Sequence, residues 1–184
     1  MRCFIALLLD KDANSYILDL QRELKESSAD VKWVEPQNIH LTLKFLGEIP
    51  EKLAQDIKIK LEDFKEEKVI KTKIFEIGGF PSLENVRVVW VGLKDEKMIK
   101  DLFERLERKL QQLNIPKEKR DFKAHITLGR VRSKRNIDKL IRKIKKMKFK
   151  EKDASIEKLV FFQSTLTQRG PIYTPLYEIS FKRI

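Results

Sequence analysis

Apolar and polar residues recur along the chain with two different periods, and each switch of period marks an element. Met1 to Leu9, "MRCFIALLL", sets Ile5, Leu7 and Leu9 against Phe4, Ala6 and Leu8, which predicts a buried strand. Ala13, Ile17, Leu20 and Leu24 then return at helical spacing and predict a helix near 12–28. A short strand is expected around Trp33, and a further strand from Ile39 to Leu46, closed by Gly47. Pro50 opens the next helix, carried by Leu53, Ile57, Leu61 and Phe64. Two strand-like runs follow, "KTKIFEIGGF" and "VRVVWVGL", with Gly78–Phe80 itself reading as a turn. Asp95 is expected to cap a long helix built on Met98, Leu102, Leu106, Leu110 and Leu113. The polar stretch Asn114–Asp121, with Pro116, reads as a loop that delivers a strand from His125 to Val131. Ile137, Leu140, Ile141, Ile144 and Met147 mark another helix, and final strands are expected near 154–166 and 172–182.

The two halves echo each other. Each holds a strand containing a histidine, then a helix, then two more strand candidates. This predicts an α+β fold of two pseudo-symmetric lobes, each a mainly antiparallel sheet with flanking helices, around a central cleft. No long linker or low-complexity segment interrupts the chain, so residues 1–184 are read as a single domain of two packed lobes.

The histidines sharpen that picture. There are only two, and both sit in the same four-residue pattern: His40-Leu41-Thr42-Leu43 and His125-Ile126-Thr127-Leu128. With this composition, such a coincidence at both is on the order of 1 in 70,000. Side chains two apart in a strand share a face, so His40 projects with Thr42 and His125 with Thr127. Ile39, Leu41 and Leu43, and likewise Ala124, Ile126 and Leu128, face the other way and can anchor each strand to a core. Two imidazoles across a substrate can serve as acid and base in one displacement. Two hydroxyls can hydrogen-bond the non-bridging oxygens of an anionic centre. In-line phosphoryl displacement, with attacking and leaving oxygens on opposite sides of phosphorus, suits that geometry.

Charge bears on the partner. The chain carries 40 Lys and Arg against 28 Asp and Glu, a net charge of +12. Such a balance fits a polyanionic partner, and equally the charged surface of a heat-stable protein. The segment "RVRSKRNIDKLIRKIKKMKFKEK" is densely basic and reads either as the solvated face of an amphipathic helix or as a guide for RNA phosphates. Cys3 stands alone in an apolar run and is read as core packing; a single cysteine suits a reducing compartment, and a cytoplasmic location is expected. Asp10, Lys11 and Asp12 cut the N-terminal apolar run too short for a membrane span. Two His and one Cys provide few zinc ligands, and neither H-E-x-x-H nor a G-x-x-x-x-G-K-[ST] loop occurs, so no metal and no cofactor is expected.

The paired "HLTL" and "HITL" motifs resemble those of the 2H phosphoesterase superfamily. With them go the blocks "RCFIALLL", "HLTLKFLGEI", "FPS", "FKAHITLGR" and "FFQSTLTQRGPIYTPLYEI". Across nearly the whole chain the sequence is similar to bacterial and archaeal RNA 2′,3′-cyclic phosphodiesterases, historically called 2′-5′ RNA ligases. The resemblance implies a bilobal fold with both motifs in an open cleft. It also implies metal-independent hydrolysis of an RNA 2′,3′-cyclic phosphate end, tRNA fragments among the candidates, to a 2′-phosphate. Carried over, His40 would be the proton donor and His125 the proton acceptor, although the symmetry of the motifs leaves these roles interchangeable on sequence alone. The resemblance also suggests Arg130 as a phosphate ligand and Phe45 as a stacking surface for a base. Each lies five residues past its histidine, so a regular strand would turn both away from the site, unless a bulge at Gly129 or a strand end near Gly47 intervenes. Gln163, Ser164 and Tyr173 fall in the similar blocks without an assignable role. A monomer is expected. The competing readings are a non-catalytic RNA-binding module and an ATP-independent 2′-5′ RNA ligase.

Overall fold

A computed structural model describes residues 1–184. The elements run in chain order as β1 (Arg2–Leu9), α1 (Lys11–Lys25), β2 (Val31–Trp33), β3 (Leu41–Glu48), α2 (Glu51–Leu61), β4 (Ile70–Pro81), β5 (Val86–Leu93), α3 (Lys97–Gln111), β6 (His125–Val131), α4 (Ile137–Lys146), β7 (Lys152–Thr167) and β8 (Gly170–Ser180). The α+β class and the antiparallel pairing follow the expectation. Asp10 starts α1 by accepting the Ala13 N–H at 2.9 Å, and its second oxygen accepts the Ser155 N–H at 2.6 Å, which ties the helix to β7.

Two sheets of four strands can be traced, β3-β1-β7-β8 and β2-β6-β5-β4. They join where Ile70–Ile74 of β4 pairs with Lys152–Ile156 of β7. The order β1-α1-β3-α2-β4 in the first half repeats as β5-α3-β6-α4-β7 in the second. The closing strand of each half is exchanged: β4 pairs with β5, and β7 pairs with β1. Each sheet is therefore completed by the other half of the chain.

One face of this sheet system carries the core. Ile5, Leu7 and Leu9 of β1 point there with Ile17 and Leu24 of α1, Ile57 and Leu61 of α2, Leu102 and Leu106 of α3, and Leu140 of α4. Burial of this contiguous apolar surface is the main stabilising term. The opposite face of β1 holds a small separate cluster of Phe4 and Ala6 with Val160 and Phe162 of β7. Cys3 is buried in the main core, as its apolar context predicts, and burial pushes its thiol pKa up.

Two local expectations are corrected. Gly78–Phe80 is no turn but part of β4, where Gly78 pairs with Trp90 across the ladder. A Cβ at Gly78 would lie 2.2 Å from the Trp90 ring, so the glycine lets a large aromatic lie against the strand backbone. Asp95 does not cap α3. It adopts a left-handed conformation at φ 57°, and the helix begins after Glu96 without a side-chain cap. Its start is fixed instead by burial of Ile99 and Leu102.

Candidate active site

The first histidine enters the cleft from a 3-10 turn, Pro36–Asn38, that leads into β3. Asn38 is buried and donates its side-chain amide to Pro171 O at 3.1 Å, which fastens this turn to β8. The carbonyl of Asn38 accepts a hydrogen bond from His40 Nδ1 at 2.6 Å. On β6 the same device recurs: His125 Nδ1 donates to Lys123 O at 2.8 Å. A carbonyl can only accept, so both Nδ1 atoms carry the proton, and each Nε2 becomes the atom that exchanges a proton with the cleft. The anchoring residues behave as the alternation predicts, with Ile39, Leu41, Leu43, Ala124, Ile126 and Leu128 all buried.

The two imidazoles are not equivalent. His40 Nε2 lies 2.8 Å from Thr42 Oγ1, an internal partner, whereas His125 Nε2 is left to the cleft. His40 packs against Phe4 at 5.1 Å and Tyr173 at 5.5 Å between ring centroids, two rings that also touch each other at 4.8 Å. His125 stands edge-on to Phe80 at 5.0 Å and to Trp90 at 6.2 Å. Burial against these rings is the main reason both pKa values fall below that of a free imidazole, opposed in each case by the backbone hydrogen bond. The charge of Arg130 lowers both further, joined by His125 at His40 and by Lys123 at His125, where Glu96 pulls the other way.

Arg130 and Phe45 both face the cleft, against the regular-strand expectation. The cause is a β-bulge in each histidine strand. On β6, Thr127 pairs with Trp90 but Arg130 with Val88, so one extra residue, Leu128, is absorbed before Gly129. Trp90 and Val88 share a face of β5, and Thr127 and Arg130 therefore do too. Gly129 is fitted tightly to its neighbours: a Cβ there would sit 2.6 Å from Val31 and 3.0 Å from Trp33. On β3, Thr42 pairs with Ala6 and Phe45 with Phe4, again with one residue extra, and Phe45 emerges beside Phe4 at 6.2 Å. Phe45 is 67% exposed and is not a core residue.

A cavity of about 310 Å³ is lined by His40, Thr42, Phe45, His125, Thr127 and Arg130. All six residues singled out from sequence thus meet in one place. Tyr173 also lines it, delivered by β8, as do Phe122 and Lys123 from the loop before β6. Gln163 and Ser164 lie on β7 outside it. No cluster of three or more His, Cys, Asp and Glu side chains of metal-ligating arrangement occurs.

Two imidazoles presenting Nε2, two hydroxyls and a guanidinium surround one cavity, a set able to hold an anionic phosphate group and to move protons around it, in a fold with an internal repeat. The family model described as "LigT like Phosphoesterase" matches the chain twice, over residues 7–90 and 91–173. A protein of Methanocaldococcus jannaschii named RNA 2′,3′-cyclic phosphodiesterase is 35% identical, with 97% of this chain and 99% of that protein covered. One of the same name from Archaeoglobus fulgidus is 36% identical, with 96% and 98% covered. Among solved structures, a Thermus thermophilus protein superposes with a TM-score of 0.80 at 25% identity over 100% of this chain and 99% of that one. Escherichia coli LigT shares the fold with a TM-score of 0.77 at 20% identity, covering 98% and 97%. The chain belongs to the LigT-like phosphoesterase family of the 2H superfamily, and it is an enzyme of the phosphoric-ester hydrolase class. No helix is long and apolar enough to cross a membrane.

Proposed function

We propose that the chain hydrolyses the 2′,3′-cyclic phosphate at the end of an RNA to a 2′-phosphate, with no metal ion. The observation that carries this reading is the mirrored pinning of His40 and His125, each Nδ1–H held by the carbonyl two residues back, which leaves both Nε2 atoms for proton exchange at one shared cavity, that of His40 beside the Thr42 hydroxyl. The names of the relatives support the substrate class.

In the proposed step a water molecule attacks phosphorus as His125 Nε2 takes its proton. The bond from phosphorus to O3′ breaks, and His40 Nε2–H gives its proton to that oxygen. Thr42 and Thr127 hydrogen-bond the non-bridging oxygens, and Arg130 balances their charge. Phe45, exposed at the rim, offers its ring to the terminal base. Both imidazoles are predominantly neutral in the free protein at neutral pH, because both pKa values are lowered. The anionic phosphate supplies the charge that draws a proton onto one of them. The scheme assigns both proton transfers to the imidazoles, the two side chains of the cavity that can give and take a proton near neutrality. Every group in the scheme comes from one chain, so a monomer suffices. The lone buried thiol suits the cytoplasm.

The test uses His40→Ala and His125→Ala on two substrates. On RNA cyclic phosphate each variant is expected to lose on the order of 10²-fold or more. On a phosphodiester with a nitrophenolate leaving group, which needs little protonation, His40→Ala should recover much of its rate and His125→Ala should stay crippled. The opposite pattern exchanges the roles. Equal defects on both substrates would overturn the acid/base scheme.

A further inference from the structure

Beside the catalytic cavity lies a second groove of about 490 Å³, which shares Asn38, Arg130 and Tyr173 with it. A third of about 390 Å³ continues from the second through Lys32, Trp33, Val34 and Glu35. The two grooves run along β2, the edge strand of its sheet, and between it and the β7–β8 hairpin on one side and α1 on the other. Their charge is one-sided. Lys32, Arg130 and Arg169 line the second groove, and Lys25 and Arg132 join Lys32 in the third, against the single carboxylate of Glu35. None of these five cations takes part in an ion pair. On α4, by contrast, Arg142, Lys143 and Lys145 are already paired with Asp138, Glu26 and Glu84. The other wall of the catalytic cavity is mixed, with Glu118 and Asp121 beside Arg120 and Lys123. A negatively charged strand leaving the cavity along β2 therefore meets a run of positive charge that no carboxylate pairs. The half-buried indole of Trp33 lines both grooves and gives a base a face to stack on.

We propose that this pair of grooves is a binding track for the nucleotides immediately 5′ of the cyclic end, and that the substrate is an oligonucleotide rather than a free nucleoside cyclic phosphate. The proposal rests on the reading of the cavity as a site for RNA cyclic-phosphate ends. Lys32 and Arg169 hold the phosphate next to the end, and Lys25 and Arg132 the one after it. The basic stretch that continues into α4 thus contributes to the track through Arg130 and Arg132, at its start.

The test compares adenosine 2′,3′-cyclic phosphate with a triadenylate bearing the same cyclic end, in the wild type and in the double variant Lys32→Ala/Arg169→Ala. The wild type should favour the trinucleotide in kcat/KM by roughly 10-fold or more at low salt. The double variant should lose most of that preference while its rate on the mononucleotide stays within about 2-fold, which also reports that it is folded. Equal kcat/KM on both substrates in the wild type, or equal loss on both in the variant, would overturn the track. Binding of adenosine 2′-phosphate and of a triadenylate ending in 2′-phosphate is measured alongside. The trinucleotide should bind more tightly, with a salt slope steeper by roughly 0.7 for each added phosphate contact, and the variant should lose both differences. If neither cyclic substrate is turned over, the hydrolytic reading fails, and the binding arm still decides the track.

Discussion

Lys44 and Glu107 form a buried ion pair at 2.8 Å, only 6% and 2% exposed, between the first histidine strand and α3. Lys44 also donates to Pro116 O at 2.7 Å, and Glu107 accepts the Glu118 N–H at 2.7 Å. The pair therefore clamps the loop that ends at Lys123, whose carbonyl orients His125. Replacing Glu107 by Leu leaves the Lys44 ammonium in the interior with one carbonyl, and breaking such a pair costs about 3–5 kcal/mol. Adding Lys44→Met removes the stranded charge. The double variant then still lacks a partner for the Glu118 N–H, a loss of about 1–3 kcal/mol. The double variant should therefore be about 2 kcal/mol more stable than the single one. Urea unfolding at constant m reads both values. Turnover by the double variant should remain reduced even so, because its loop is no longer fixed at Pro116 and Glu118. A Glu107→Leu cost below about 1 kcal/mol, or a double variant no more stable than the single one, would refute this account of the pair.

The remaining predictions concern pH and the bulge. Both histidine pKa values are lowered in the free protein, so kcat/KM should follow a bell centred below about pH 6.5, and kcat, measured with the phosphate bound, should peak at higher pH. A kcat/KM optimum well above neutrality would contradict the burial of the imidazoles. The same shifts mean that the unfolded chain binds more protons than the folded one, so the urea midpoint should drop as the pH falls below about 6.5. Gly129→Val places atoms against Val31 and Trp33 and should displace Arg130, giving a kcat/KM defect like that of Arg130→Ala. Wild-type kcat/KM in the valine variant would show that Arg130 does not depend on the bulge.

Much of this site was legible in the sequence because its signals are local. The repeated H-x-T-x pattern set a histidine and a threonine on one face and aliphatic anchors on the other, and the strand from His125 to Val131 has the expected limits. Arg130 and Phe45 needed the register of β6 against β5 and of β3 against β1, which one strand read alone does not contain. Phe4 and Trp90 reach the histidines through the pairing of β1 with β3 and of β5 with β6, and Tyr173, on β8, is carried to the first histidine by β7, the strand exchanged from the second half onto β1. Gly78 looked like a turn because glycine is common there, whereas its role is to admit the Trp90 ring, a tertiary contact with no sequence signature.

The central claim is that two histidines open a cyclic phosphate toward the 2′-phosphate without a metal. An RNA oligonucleotide ending in a 2′,3′-cyclic phosphate, incubated with chelator-treated protein in excess EDTA, tests it directly when the product ends are identified by phosphorus NMR. The account predicts full activity and a 2′-phosphate as the only product. A 3′-phosphate, or turnover that appears only when a divalent cation is restored, would contradict it.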